Sequence, residues 1–165
     1  MDDKARELLR SAIGSRALFY RAVFEEMREE IGADLATTIM KKAIYRRGAD
    51  IAGNFSPFAP ADLKGLRDAF IDFIPDAETM FQPEVVECTD ESLRIHFHRC
   101  PLKESWQGAG IEGGELEHMC GMAGCVDKGT FGEAGFGIAV DTWKQGREGC
   151  CRLHITPGPD APANP

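Results

Sequence analysis

Residues able to do chemistry are concentrated between Arg94 and Asp127, RIHFHRCPLKESWQGAGIEGGELEHMCGMAGCVD, which holds three of the four histidines and three of the six cysteines. His96, His98 and Cys100 alternate, so a strand carried through them puts two imidazoles and a thiol on one face. With Cys120 added, that set has the donors a zinc or iron ion takes. The plainer reading is a polar strand face carrying histidines among arginines, because no four-ligand spacing is present. Cys120 and Cys125 are about one helical turn apart; they can share a metal or a redox bond, or pack as small hydrophobes. Glu115, Glu117, His118, Cys120 and Asp127 offer an acid, a base and a nucleophile close together in the chain. Carboxylates on a helix are more often simply solvated. Gly108, Gly110, Gly113 and Gly114 do not follow a strand into a helix at a phosphate-binding spacing, so no nucleotide cofactor is expected.

The elements that must position these groups are legible in the hydrophobic period. Leu9, Ile13, Tyr20, Phe24, Met27 and Ile31 recur at helical spacing over Lys4–Ile31, and Gly32 is placed to stop that helix. A second helix carries Leu35, Ile39, Ala43 and Ile44 and ends at Arg46-Arg47-Gly48. After the loop 48–60, a third is expected from Pro60, with Leu63, Leu66, Phe70, Ile71 and Ile74 on one side and Pro75 at its end. The period then falls to two. Glu84–Cys88 and Leu93–Arg99 flank the turn Thr89–Ser92, with Leu93, Ile95 and Phe97 on one face and Arg94, His96, His98 and Cys100 on the other. One helix is expected over Glu115–Val126, then strands through Phe136, Ile138, Val140 and through Cys151, Leu153, Ile155. Adjacent Cys150 and Cys151 on a strand point to opposite faces.

These elements predict an α+β domain: N-terminal helices packed on a four-stranded antiparallel sheet with an inserted helix. A single domain is expected over 1–156, helical in 1–75 and carrying sheet and site in 83–156, followed by a proline-rich disordered tail over 157–165. The net charge of −8 argues against nucleic acid as a partner. No apolar run approaches the ~20 residues that cross a bilayer. The start, MDDKARELLR, has no signal-peptide core, so the expected location is the cytoplasm, with the cysteines as thiols. The expected partner is a small molecule, and a homo-oligomer is compatible with the composition.

Arg99-Cys100-Pro101, Glu115, Cys120 and Cys125 closing on Asp127, and Gly146 followed by Cys150-Cys151-x-Leu-x-Ile resemble the L-2-amino-thiazoline-4-carboxylic acid hydrolase family of small bacterial proteins. The resemblance implies a hydrolase that opens a carbon–nitrogen bond of a small cyclic amidine carboxylate, with no required cofactor. Cys125 or Cys100 would attack the amidine carbon, or a water would be aimed at it. Asp127, Glu115 or His118 would move protons, and Arg94 or Arg99 would grip the substrate carboxylate. The chain departs from the simple pattern in its paired cysteines and in His96 and His98. Element order also resembles the 4-vinyl-reductase-like ligand-binding domains, which implies a non-enzymatic sensor for a small ligand, metal or cofactor. A redox-active dithiol protein is the third reading.

Overall fold

The computed structural model describes residues 1–159. Two long helices open the chain, α1 (Asp3–Ile31) and α2 (Ala33–Ala49), with Asp2 capping the first through its carboxylate on the Ala5 amide. Two short 3-10 turns at Ala52–Asn54 and Ser56–Phe58 lead to α3 (Leu63–Phe73). The third helix thus starts three residues later than Pro60, because Asp62 supplies the cap, accepting from the Gly65 amide at 2.8 Å. A single turn, α4 (Ala77–Met80), precedes the hairpin β1 (Pro83–Cys88) and β2 (Leu93–Phe97).

The segment from Cys100 to Ala134 departs most from expectation. In place of the one helix expected over Glu115–Val126, the chain forms three, α5 (Pro101–Gly108), α6 (Gly113–Ala123) and α7 (Cys125–Glu133). Pro101 at the first helical position presets the backbone for α5, a start signal adjacent to the Cys-Pro pair. Strands β3 (Gly137–Asp141) and β4 (Arg152–Thr156) complete an antiparallel sheet of order β1-β2-β4-β3. The expected α+β class, with N-terminal helices and a four-stranded antiparallel sheet, is the one observed.

One face of the sheet is covered. Leu93, Ile95, Leu153 and Ile155 point inward onto Leu63, Leu66 and Phe70 of α3, Phe55 and Phe131. A second cluster joins α1, α2, α5 and α6 through Phe24, Met40, Ile44, Trp106, Leu116 and Met119. The Trp106 indole donates to the Ala17 carbonyl at 2.8 Å, tying α5 to α1. Helices α2 and α7 cross with backbones nearly in contact. A Cβ at Gly129 would stand 2.1 Å from the Tyr45 carbonyl oxygen, and one at Gly48 would stand 2.0 Å from that of Val126. Only glycine allows that approach.

The expected disordered tail begins with packed residues. Gly158 is buried, its amide donates to the Pro60 carbonyl at 2.8 Å, and a Cβ there would meet the Gly135 oxygen at 1.8 Å. Residues 160–165 of that predicted tail lie outside the described residues.

Candidate functional site

A cavity of about 240 Å³ lies at the seam between the two core clusters. Its wall is mainly apolar and includes Phe55, Phe70, Phe73, Phe81 and Phe97. Asp127 and Thr130 of α7 line it together with Cys100, Cys150 and Cys151, as do Arg16 and Arg99.

Backbone pairing explains why thiols distant in sequence meet. At the last residue of β2, the Phe97 amide donates to the Cys151 carbonyl at 2.9 Å and the Cys150 amide donates to the Phe97 carbonyl at 2.8 Å. The loop is held from outside by Lys103, whose ammonium donates to the Gly149 carbonyl at 2.6 Å. Cys150 and Cys151 both precede β4, and their sulfurs are 3.6 Å apart. The alternation expected of a strand therefore fails at this pair: both thiols face the cavity. Cys100 likewise stands at the N-cap of α5 rather than continuing the polar face of β2, and it lines the same cavity as Cys150.

Position sets the ionisation of these groups. Contact with Cys150 and then burial push the Cys100 thiol well above its ordinary value. Cys150 is pulled down by Cys100, but contact with Cys151 and burial outweigh this and raise it. Burial moves Cys120 up to about 12. These three thiols stay protonated at neutral pH. Asp127 has no hydrogen-bonding or ion-pair partner among the described residues, and burial alone moves its carboxyl from 3.8 up to about 7. It retains some accessible surface because it faces the cavity. A carboxyl near 7 populates both protonation states at working pH, as a group that takes and returns a proton must.

Not every residue singled out in the sequence reaches this cavity. Cys100, Asp127 and Arg99 do. Cys125 does not line it. Its thiol lies 3.9 Å from the Gly121 carbonyl oxygen in the helical core, and burial raises its pKa. Glu115 is exposed on α6. His118 faces α1 and α2, with Nε2 3.0 Å from the Thr37 hydroxyl and its ring 5.4 Å from that of Phe24. Burial first, then the charges of Lys41 and Arg28, hold its pKa below the ordinary histidine value. Arg94 lies on the solvent face of the sheet beside Glu87 at 3.6 Å, away from the cavity. His96 and His98 share that outer face, His98 pairing with Glu84 at 2.8 Å, whereas Cys120 is buried among the helices. The three are not brought together. Among the described residues no group of three or more His, Cys, Asp or Glu is placed to hold a metal ion.

Arg99 lines the cavity but is committed elsewhere, with its guanidinium bidentate to Glu104 at 2.7 and 2.8 Å and donating to the Thr79 carbonyl. Sequence reasoning passed over Arg16. It sits on exposed α1, lines the cavity, and has no polar partner among the described residues. Nothing in its helical neighbourhood, rich in solvated arginines, distinguishes it. Thr130 was missed for a similar reason: a threonine inside a helix carries no local signal, yet its hydroxyl, which donates to the Val126 carbonyl at 2.9 Å within α7, also reaches the Gly48 carbonyl at 3.3 Å across the tight α2–α7 crossing.

Among the described residues no helix is long and apolar enough to cross a membrane. Comparison with curated proteins finds no match. Among solved structures, the fold is similar to that of trafficking protein particle complex subunit 3 from Naegleria fowleri, a crystal structure covalently bound to palmitic acid. The TM-score is 0.55 at 12% identity, covering 88% of this chain and 95% of that one. At that identity the likeness concerns the fold alone. The profile of the L-2-amino-thiazoline-4-carboxylic acid hydrolases matches residues 10–155, taking in α1, the cavity and the last strand. By that match across nearly its whole length, the chain belongs to the L-2-amino-thiazoline-4-carboxylic acid hydrolase family.

Proposed function

We propose that this chain is a hydrolase that opens a carbon–nitrogen bond of a small cyclic amidine carboxylate of the thiazoline type, using a water activated by Asp127. The observation that carries this reading is the placement of Asp127. It is the one carboxylate among the described residues lining the cavity, it lacks a cationic partner, and burial puts its carboxyl near 7. As carboxylate, Asp127 takes a proton from water as the oxygen adds to the amidine carbon. As carboxylic acid, it returns that proton to the ring nitrogen, and the adduct's hydroxyl then gives its own proton to the same nitrogen by way of Asp127 as the carbon–nitrogen bond breaks and the carbonyl forms, so the net change is addition of one water. Arg16, uncommitted to any described partner, holds the substrate carboxylate.

Attack by Cys100 is the competing route to the same product. It is disfavoured because contact with Cys150 and burial keep that thiol protonated. The two routes separate in one experiment, with ring opening of L-2-amino-thiazoline-4-carboxylate followed as the gain of one water by mass spectrometry. Asp127→Asn should abolish turnover, and Cys100→Ser should retain it within several-fold. An inactive Cys100→Ser beside an active Asp127→Asn moves the mechanism to the thiol.

A second reading, a non-enzymatic binding module, draws on the aromatic wall of the cavity and on the palmitic acid carried by the trafficking subunit of similar fold. Absence of turnover in the wild-type protein would favour it.

A further inference from the structure

The groups assigned to the reaction occupy only part of the cavity. Asp127 and Thr130 come from α7, and the thiols come from the Cys100 and Cys150-Cys151 segments. The lining also includes a connected set of phenyl rings. Phe55 stands edge-on to Phe70 at 5.8 Å and to Phe73 at 5.4 Å, Phe70 to Phe97 at 6.2 Å, and Phe81 to Phe97 at 6.4 Å. No proton-transfer or carboxylate-binding role falls to any of them. Phe73 is the telling member: it lines the cavity and is braced against Phe55, yet 46% of its surface is open. A large aromatic that lines a cavity yet stays uncovered is what an apolar ligand would cover.

Size agrees with composition. An apolar cavity of about 150 Å³ accepts benzene, which is close in bulk to an amino-thiazoline ring whose carboxylate remains outside at Arg16. The cavity here holds about 240 Å³. The remaining space is roughly that of three or four carbon atoms, before the open surface of Phe73 is counted. A bare ring would leave this space unfilled and set its heteroatoms against phenyl groups that offer no hydrogen bond.

We infer that the phenylalanine wall is a binding subsite for an apolar substituent, and that the ligands of this chain are cyclic carboxylates bearing an aryl or branched-alkyl group. This rests on the reading of the cavity as the hydrolytic site. It adds to it the substrate class, which the family description of a bare amino-thiazoline does not contain.

The test uses two thiazoline-4-carboxylates that differ only in their apolar body, 2-methyl and 2-phenyl. Binding to the full-length Asp127→Asn protein is measured by calorimetry, so that affinity is read without turnover. The phenyl compound should bind about tenfold more tightly, the consequence of covering some tens of Å² of aromatic surface. Phe73→Ser, at an open position that leaves the fold intact, should reduce that advantage to about threefold or less while the methyl compound binds as before. Phe81→Ser, at another lining position, should act in the same direction. Equal affinities for the two compounds, or an advantage that survives both substitutions, overturns the subsite. The two readings fail separately. If the wild-type protein opens the bare amino-thiazoline and shows no phenyl preference, the subsite is wrong and the hydrolase stands. If the preference and its Phe73 dependence are present but no amidine is opened, the hydrolase is wrong and the subsite stands.

Discussion

Replacing Asp127 by Asn should make the protein more stable, and only above a definite pH. The carboxyl moves from 3.8 in the unfolded chain to about 7 in the fold, with burial as the cause. A group whose folded value is raised contributes stability that is fully present below the unfolded value. That contribution is lost as pH rises through the folded value. The window is therefore pH 4 to 7: below it both states are protonated, and above it the folded state carries an unpaired buried charge. The interval corresponds to about 4 kcal/mol at 1.36 kcal/mol per pH unit. Because the cavity admits water to one side of the carboxyl, about 2–4 kcal/mol is the range to expect. Asn is neutral throughout and close in shape. The difference between Asp127→Asn and wild type should be near zero at pH 4 and grow to that range at pH 8, with the variant the more stable. Urea unfolding of both proteins at several pH values measures it, and taking the difference cancels every other titrating group. A difference that does not change with pH would refute the claim that Asp127 is buried without a partner, and with it the proton-transfer role.

Gly129→Ala should cost about 3 kcal/mol or more, because the Tyr45 carbonyl at 2.1 Å is backbone and cannot step aside, as equilibrium unfolding would register. Truncation after Thr156 should lower the melting temperature by several degrees through loss of the Gly158 contacts. Brief substoichiometric iodoacetamide followed by mass mapping should label Cys88, partly exposed at the end of β1, before Cys120 and Cys125, which are buried and raised. Phe97→Ala should cost about 3 kcal/mol through its ring contacts with Phe70 and Phe81, and exposed His98→Ala well under 1 kcal/mol; thermal or urea unfolding compares them.

Periodicity alone determined the α+β class, the two opening helices with their break at Gly32, both hairpins, and the inward set Leu93, Ile95 and Phe97. Each of these depends on neighbours a few residues away, and local spacing carries that information. The segment around Cys100 and Asp127 was legible as the place for chemistry because reactive side chains are dense there. Which of them act together was not. Cys125 is two residues from Asp127 in sequence, yet only Asp127 faces the cavity, since neighbouring positions on a helix point in different directions. Cys150 and Cys151 come to Cys100 by a backbone pairing that spans some fifty residues, at the last residue of β2. Arg16 reaches the site because the Trp106 indole fixes α5 against α1. The pKa values of Cys125 and of Asp127 are both raised in the fold. Burial outweighs adjacent charges, and burial is a property of the packed chain rather than of any stretch of it.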